Sequence, residues 1–152
     1  MRLSVLAVIV LSAWCAAASE TYAENSLTEA EQKDVFAAAG FKMKDGSYTR
    51  CEDDVTASHM PGYLEETDLN GDGRPEVFVK ESSLFCYGNT AEAFVLVTKS
   101  PSGAWLVILD QIGVPVTRDT KTNGWLDIEV GGPGAGPFPV YKFDGTQYIG
   151  GP

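Results

Sequence analysis

Histidine is almost missing from this chain: His59 stands alone among 152 residues. One histidine excludes zinc sites built on two or three imidazoles, and it excludes a H-E-x-x-H helix. No G-x-S-x-G segment is present to form a nucleophile elbow. Basic residues are also scarce, 11 against 21 acidic ones, for a formal net charge of −10. That balance argues against nucleic-acid binding, which neutralises phosphates with lysine and arginine. It equally disfavours attachment to anionic membrane surfaces. Cysteine is sparse, at three residues. The longest apolar run covers 3–11, far short of the roughly 20 residues that a membrane-spanning helix needs.

That short run has a different meaning. Arg2 gives a positive start, 3–11 is nearly unbroken apolar sequence, and small residues follow at Ala16, Ala17, Ala18, Thr21 and Ala23. These are the three parts of a secretory signal peptide. The sequence therefore predicts a signal peptide over 1–23 and a single domain over 24–152, located in the periplasm or secreted. Cleavage after Ala18 is the alternative. Cys15 follows an apolar run, as a lipid-attachment cysteine does, but Trp14 precedes it where such a site carries a small residue.

Cleavage would remove Cys15 and leave Cys51 and Cys86. Two cysteines in an oxidising compartment predict one disulfide. A crosslink over a loop of this length adds roughly 2–4 kcal/mol, largely by restricting the unfolded chain.

One helix is legible. Ser26 with Glu29, and Thr28 with Glu31, form two overlapping capping boxes. Thr28 is the preferred cap, with Leu27 just outside and Gly40 as the stop. Leu27, Ala30, Val35 and Ala38 share one face, and Phe36 lies opposite. Beyond Phe41 the pattern turns to strands at 63–67, 77–80, 93–98, 105–109, 126–130 and 140–143. Turn pairs followed by an aromatic recur at Asp45-Gly46, Ser102-Gly103, Asn123-Gly124 and Asp144-Gly145, as tight hairpins require. A glycine- and proline-rich stretch, 131–139, reads as a shaped loop between two strands. The expected class is α+β: an N-terminal helix packed on a mainly antiparallel β-sheet, tied by one disulfide.

The most informative stretch is Asp68-Leu69-Asn70-Gly71-Asp72-Gly73-Arg74-Pro75-Glu76. It places side-chain oxygens at positions 1, 3, 5 and 9 of a loop, with glycines at 4 and 6. A hard cation such as Ca²⁺ takes six to eight oxygens at about 2.3–2.6 Å. Asp68, Asn70, Asp72 and Glu76 would offer side chains and Arg74 its backbone carbonyl. Position 12 is Val79, so the loop lacks the closing carboxylate of an EF-hand. The same side chains could alternatively hold a tight turn through hydrogen bonds to the backbone. The run 68–79 resembles the calcium loop of FG-GAP/VCBS-type repeats, in which such a loop sits between two strands of a propeller blade. Only one copy is present here, too few for a propeller. Cys51, Cys86 and the run 85–90 also resemble a small class of exported bacterial proteins that carry this loop once and have no assigned activity. The resemblance implies Ca²⁺ binding and export, and no reaction.

Catalysis finds little support. His59 lies in a polar, turn-like setting, and both mature cysteines are committed to the expected bridge. Glu52, Asp53, Asp54, Glu65 and Glu66 supply carboxylates, the raw material of a glycosidase, yet 63–66 reads more simply as a strand. Trp105, Trp125, Tyr141 and Tyr148 could line a groove, with sheet packing as the default. The expected function is an exported, non-enzymatic calcium-binding protein with a binding or envelope role and a basic protein as partner. Two alternatives stand beside it: an inhibitor or immunity protein against a basic cell-wall-degrading enzyme, and a small cell-wall hydrolase.

Overall fold

The computed structural model describes residues 26–134 and 137–150. The expected signal segment lies outside them. Strands make up 49% of the described residues and short helices 14%. That overturns the expected α+β class, an N-terminal helix packed on a mainly antiparallel β-sheet. The fold is mostly β, in three antiparallel sheets. A small hairpin pairs β1 (Lys42–Lys44) with β2 (Ser47–Thr49). The first large sheet is a meander of β3 (Met60–Thr67), β4 (Glu76–Ser82), β5 (Glu92–Lys99) and β6 (Trp105–Ile112). The second is a meander of β7 (Val114–Thr122), β8 (Trp125–Gly131), β9 (Val140–Phe143) and β10 (Tyr148–Gly150).

A second sheet was not expected, because β7 carries no strand signal. Its sequence, Val-Pro-Val-Thr-Arg-Asp-Thr-Lys-Thr, is polar, carries a proline and is exposed along most of its length. Between Thr117 and Lys121 its pairing with β8 also slips, which breaks the period-2 signal.

β6 and β7 are nearly one strand, separated only by Gly113. The chain bends there from the first sheet into the second, as strands do at the corner of a sandwich. Gly113 has φ +151, and a Cβ at this position would lie 2.7 Å from the Gly131 carbonyl and against the Val130 side chain. Only glycine permits that approach.

The facing sheets enclose one core: Leu69, Phe78, Phe94, Leu96, Ile108, Leu109, Ile128, Val130, Phe143 and Tyr148. Ile108 is the extra residue of a bulge, since Leu96 pairs with Leu109 and Val97 with Val107. Two consecutive β6 residues therefore reach the same core. The other face of the first sheet buries Val77, Val79, Val95 and Val97 under α1 and the β1–β2 hairpin. With both faces covered, β4 and β5 read as near-continuous apolar runs.

The one longer helix, α1 (Glu29–Ala38), is an accessory to this β architecture. Thr28 and Glu31 close the capping box: Glu31 N–H donates to Thr28 Oγ1 at 3.3 Å, and Thr28 N–H to Glu31 Oε2 at 3.0 Å. It ends where Phe41 N–H donates to the Phe36 carbonyl and Gly40 N–H to that of Ala37, the double bond of a Schellman end. The expected apolar face is revised: Ala30 is exposed, whereas Phe36 is buried because it stacks on Tyr48 of the hairpin at 4.0 Å.

The disulfide forms as expected. Cys51 follows β2 by two residues, and Cys86 lies in α2 (Leu84–Tyr87), with their Cα atoms 6.0 Å apart. Among the described residues, no helix is long and apolar enough to cross a membrane.

Candidate functional site

The acidic loop 68–76 joins β3 to β4 and is anchored at its second residue. Leu69 is fully buried in the inter-sheet core, and its carbonyl accepts the Leu126 N–H of β8 at 2.9 Å. Burying that side chain stabilises the fold by about 1.5–3 kcal/mol. The loop is therefore a fixed part of the sandwich rim, with its tip in solvent.

Its oxygens face inward on the loop's own backbone. Asp68 accepts N–H bonds from Gly71 (2.7 Å), Asp72 (3.2 Å) and Gly73 (3.0 Å). Asn70 Oδ1 accepts the Asp72 N–H at 2.8 Å. Asp72 accepts the Arg74 N–H at 2.8 Å, and its other oxygen pairs with the Arg74 guanidinium at 2.8 Å. Arg74 holds the Asp72 carboxyl below its ordinary range, first through its side chain and then through its amide. Gly71 and Gly73, at φ +79 and +80, make the turn tight enough for these bonds.

Glu76 sits beneath the loop. It is buried, accepts the Leu69 N–H at 2.8 Å and the Thr98 hydroxyl at 3.1 Å, and lies 3.3 Å from Asn70 Nδ2. Burial pushes its carboxyl above the usual range, against those hydrogen bonds, and the charges of Asp72 and Asp68 push it further. The loop thus carries three carboxylates and one guanidinium, which pairs with Asp72. Its oxygen-only donor set suits a hard cation. As arranged, however, the carboxylates are turned to backbone amides and Arg74, and among the described residues no three His, Cys, Asp or Glu side chains converge as a metal site.

A second polar cluster was missed in sequence. Glu81 on β4 is fully buried, yet its carboxylate takes bonds from the Thr49 and Tyr87 hydroxyls and from the Arg50 and Cys51 amides, and meets His59 Nε2 at 3.0 Å. Burial would raise its carboxyl, but these donors outweigh it and hold the group below its ordinary range. The signal available was a glutamate inside the apolar run 77–82, where an unpaired charge would be costly. His59, expected in a polar turn, proves to be bonded across 22 residues of sequence. Its Nε2 also lies 3.5 Å from the Thr49 hydroxyl. The Thr49 hydroxyl beside it donates to Glu81.

The other candidate groups separate. Glu65 pairs with Lys80 at 2.7 Å, while Glu66 accepts the Ser26 N–H at 3.2 Å. Glu52 pairs with Lys42 at 2.6 Å, and Asp54 accepts the Ser83 hydroxyl at 2.7 Å. Trp125 stacks on Phe143 with centroids 4.2 Å apart and meets Tyr148 edge-on. Tyr141 packs on the same core, whereas Trp105 lies on the opposite side of the first sheet with Lys99 over its ring. Tyr141 and Tyr148 line one open cleft with β6, while Trp105 lies on the other side of that sheet, so the four aromatics do not share a single groove. Compared with protein-family models, with curated proteins and with solved structures, the chain matches none.

Proposed function

We propose that this chain is an exported, non-enzymatic calcium-binding protein with a binding or envelope role, and that loop 68–76 is its cation site. The observation that carries the reading is the unbalanced charge of the loop. Asp72 pairs with the Arg74 guanidinium, Asp68 is turned to backbone amides, and the charges of both push the buried Glu76 carboxyl upward. A divalent cation bound there would supply the missing positive charge. Asp68, Asn70, Asp72 and Glu76 would hold it through side-chain oxygens and Arg74 through its carbonyl, after the acidic side chains turn from the backbone toward the ion. Because Leu69 ties the loop to both sheets, occupancy would stiffen the rim of the sandwich and fix the surface presented around it.

Thermal unfolding with and without millimolar Ca²⁺ tests this. At a concentration about tenfold above Kd, the ion adds about 1.4 kcal/mol of stability, a rise in Tm of about 3–7 °C for a domain of this size. Asp72→Ala should remove the rise. An unchanged Tm and no calorimetric heat at millimolar Ca²⁺ would overturn the reading.

A further inference from the structure

We infer that the disulfide clip is a docking surface for a basic protein partner, with Phe85 as its anchor. The clip joins segment 51–55 to segment 83–87. Ser83 caps α2 by accepting the Cys86 N–H at 2.9 Å, and its hydroxyl donates to Asp54 at 2.7 Å. Cys86 is bonded to Cys51, the Tyr87 hydroxyl donates to Glu81, and Ser83 N–H donates to the Ala91 carbonyl at 2.8 Å. The chain is fixed on every side here, yet Leu84 is 58% and Phe85 68% exposed, and Val55, next to Asp54, is 90% exposed. Packing of the fold does not account for an aromatic ring held in water. An aromatic on a backbone pinned in this way leaves docking less chain freedom to take away, which suits an interface anchor.

Charge selects the partner. Beside the clip lies a cleft of about 260 Å³ lined by Lys44, Asp45, Glu52 and Asp54; Glu52 is paired with Lys42 and Asp54 is buried against Ser83, so of these carboxylates Asp45 is the exposed one left without an ion pair among the described residues. Asp53, on segment 51–55, is exposed and enters no ion pair among the described residues. A lysine or arginine of a partner suits this rim, and its apolar neighbours suit Phe85, Leu84 and Val55. A second copy of this chain would bring two acidic rims together, and an anionic lipid surface would be repelled. The surface shares no residue with loop 68–76, so it stands or falls separately from the calcium reading.

The test places the photocrosslinker p-benzoylphenylalanine at position 85 of the full chain in its own cells, with position 149 on the second sheet as a control. The captured protein is then purified and its binding measured by calorimetry. The expected result is one adduct specific to position 85, formed by a basic protein. Its affinity should fall about tenfold or more between roughly 50 and 300 mM salt. Phe85→Ala should weaken it about tenfold, and a chelator should leave it unchanged. No specific adduct at position 85, an acidic captured protein, a self-adduct, or an affinity indifferent to both salt and Phe85→Ala would overturn the proposal.

Discussion

His59 Nε2 lies 3.0 Å from the carboxylate of Glu81, a residue with no exposure to solvent. Through Glu81 this contact joins the start of β3 to β4, and with Tyr87 and the Arg50 and Cys51 amides it fastens the hairpin and α2 to the first sheet.

A pH dependence follows. Folding depresses the Glu81 carboxyl: burial opposes this, but hydrogen bonds from Thr49, Tyr87, His59 and Arg50 prevail. A depressed carboxyl contributes stability that is fully present above its unfolded value and is lost as pH falls through the folded one. The Glu81 contribution, read as the difference in urea midpoint between the wild type and Glu81→Gln, should therefore hold steady above about pH 5 and shrink below about pH 4. Glu81→Gln should lower stability at neutral pH by about 2–4 kcal/mol and flatten the acid limb, because one acceptor oxygen is replaced by a donor facing donors.

If the loop binds Ca²⁺ as proposed, Arg74 would compete with the ion for Asp72. Its guanidinium occupies one Asp72 oxygen at 2.8 Å. Arg74→Ala keeps the backbone carbonyl and frees that oxygen. Calorimetry should show tighter Ca²⁺ binding, by a few-fold to about tenfold. In chelator, stability should change by less than about 1 kcal/mol, since the pair is exposed.

Gly113→Ala should be among the most damaging single substitutions. The added methyl meets the Gly131 carbonyl and the Val130 side chain, at a φ that L residues rarely adopt. A loss of about 2–4 kcal/mol is expected in denaturant titrations. Ala at the neighbouring Val114, which is exposed, should cost far less.

Removing the disulfide with Cys51→Ser and Cys86→Ser together should cost about 2–4 kcal/mol. Hydrogen exchange should locate the loosening at 51–56 and 83–90 while the inter-sheet core stays protected. The Ser83 and Tyr87 bonds to Asp54 and Glu81 should keep the double variant folded.

What could be read in sequence divides along physical lines. The six expected strands all lie within observed ones, and β4 and β5 were the plainest because burial on both faces keeps them apolar. The hairpin turns at Asp45-Gly46 and Asn123-Gly124 were legible too, since both residues of each pair take positive φ. The class was not. β7 is an edge strand that faces solvent over much of its length, so it carries no apolar period, and without it the second sheet could not be assembled. α2 is a four-residue turn set by Ser83 and the disulfide, below the length at which periodicity speaks.

The candidate site divides in the same way. The oxygen spacing of 68–76 is a local property and can be read from one segment. That Leu69 is the loop's anchor depends on β8, whose N–H it meets 57 residues away. The Glu81 cluster draws on β2, β3, β4 and α2, so only the folded chain brings its donors together.

The corner at Gly113 has one further consequence. On either side of it every large-sheet strand pairs with its neighbour in sequence, so neither half waits for a distant segment to arrive. Loop-closure entropy is small in such an arrangement, and search times should be short for a protein so rich in strands. The two halves meet about a single residue, so a folding order in which each sheet pairs first and the shared core closes last is the expectation for pulse-labelled hydrogen exchange.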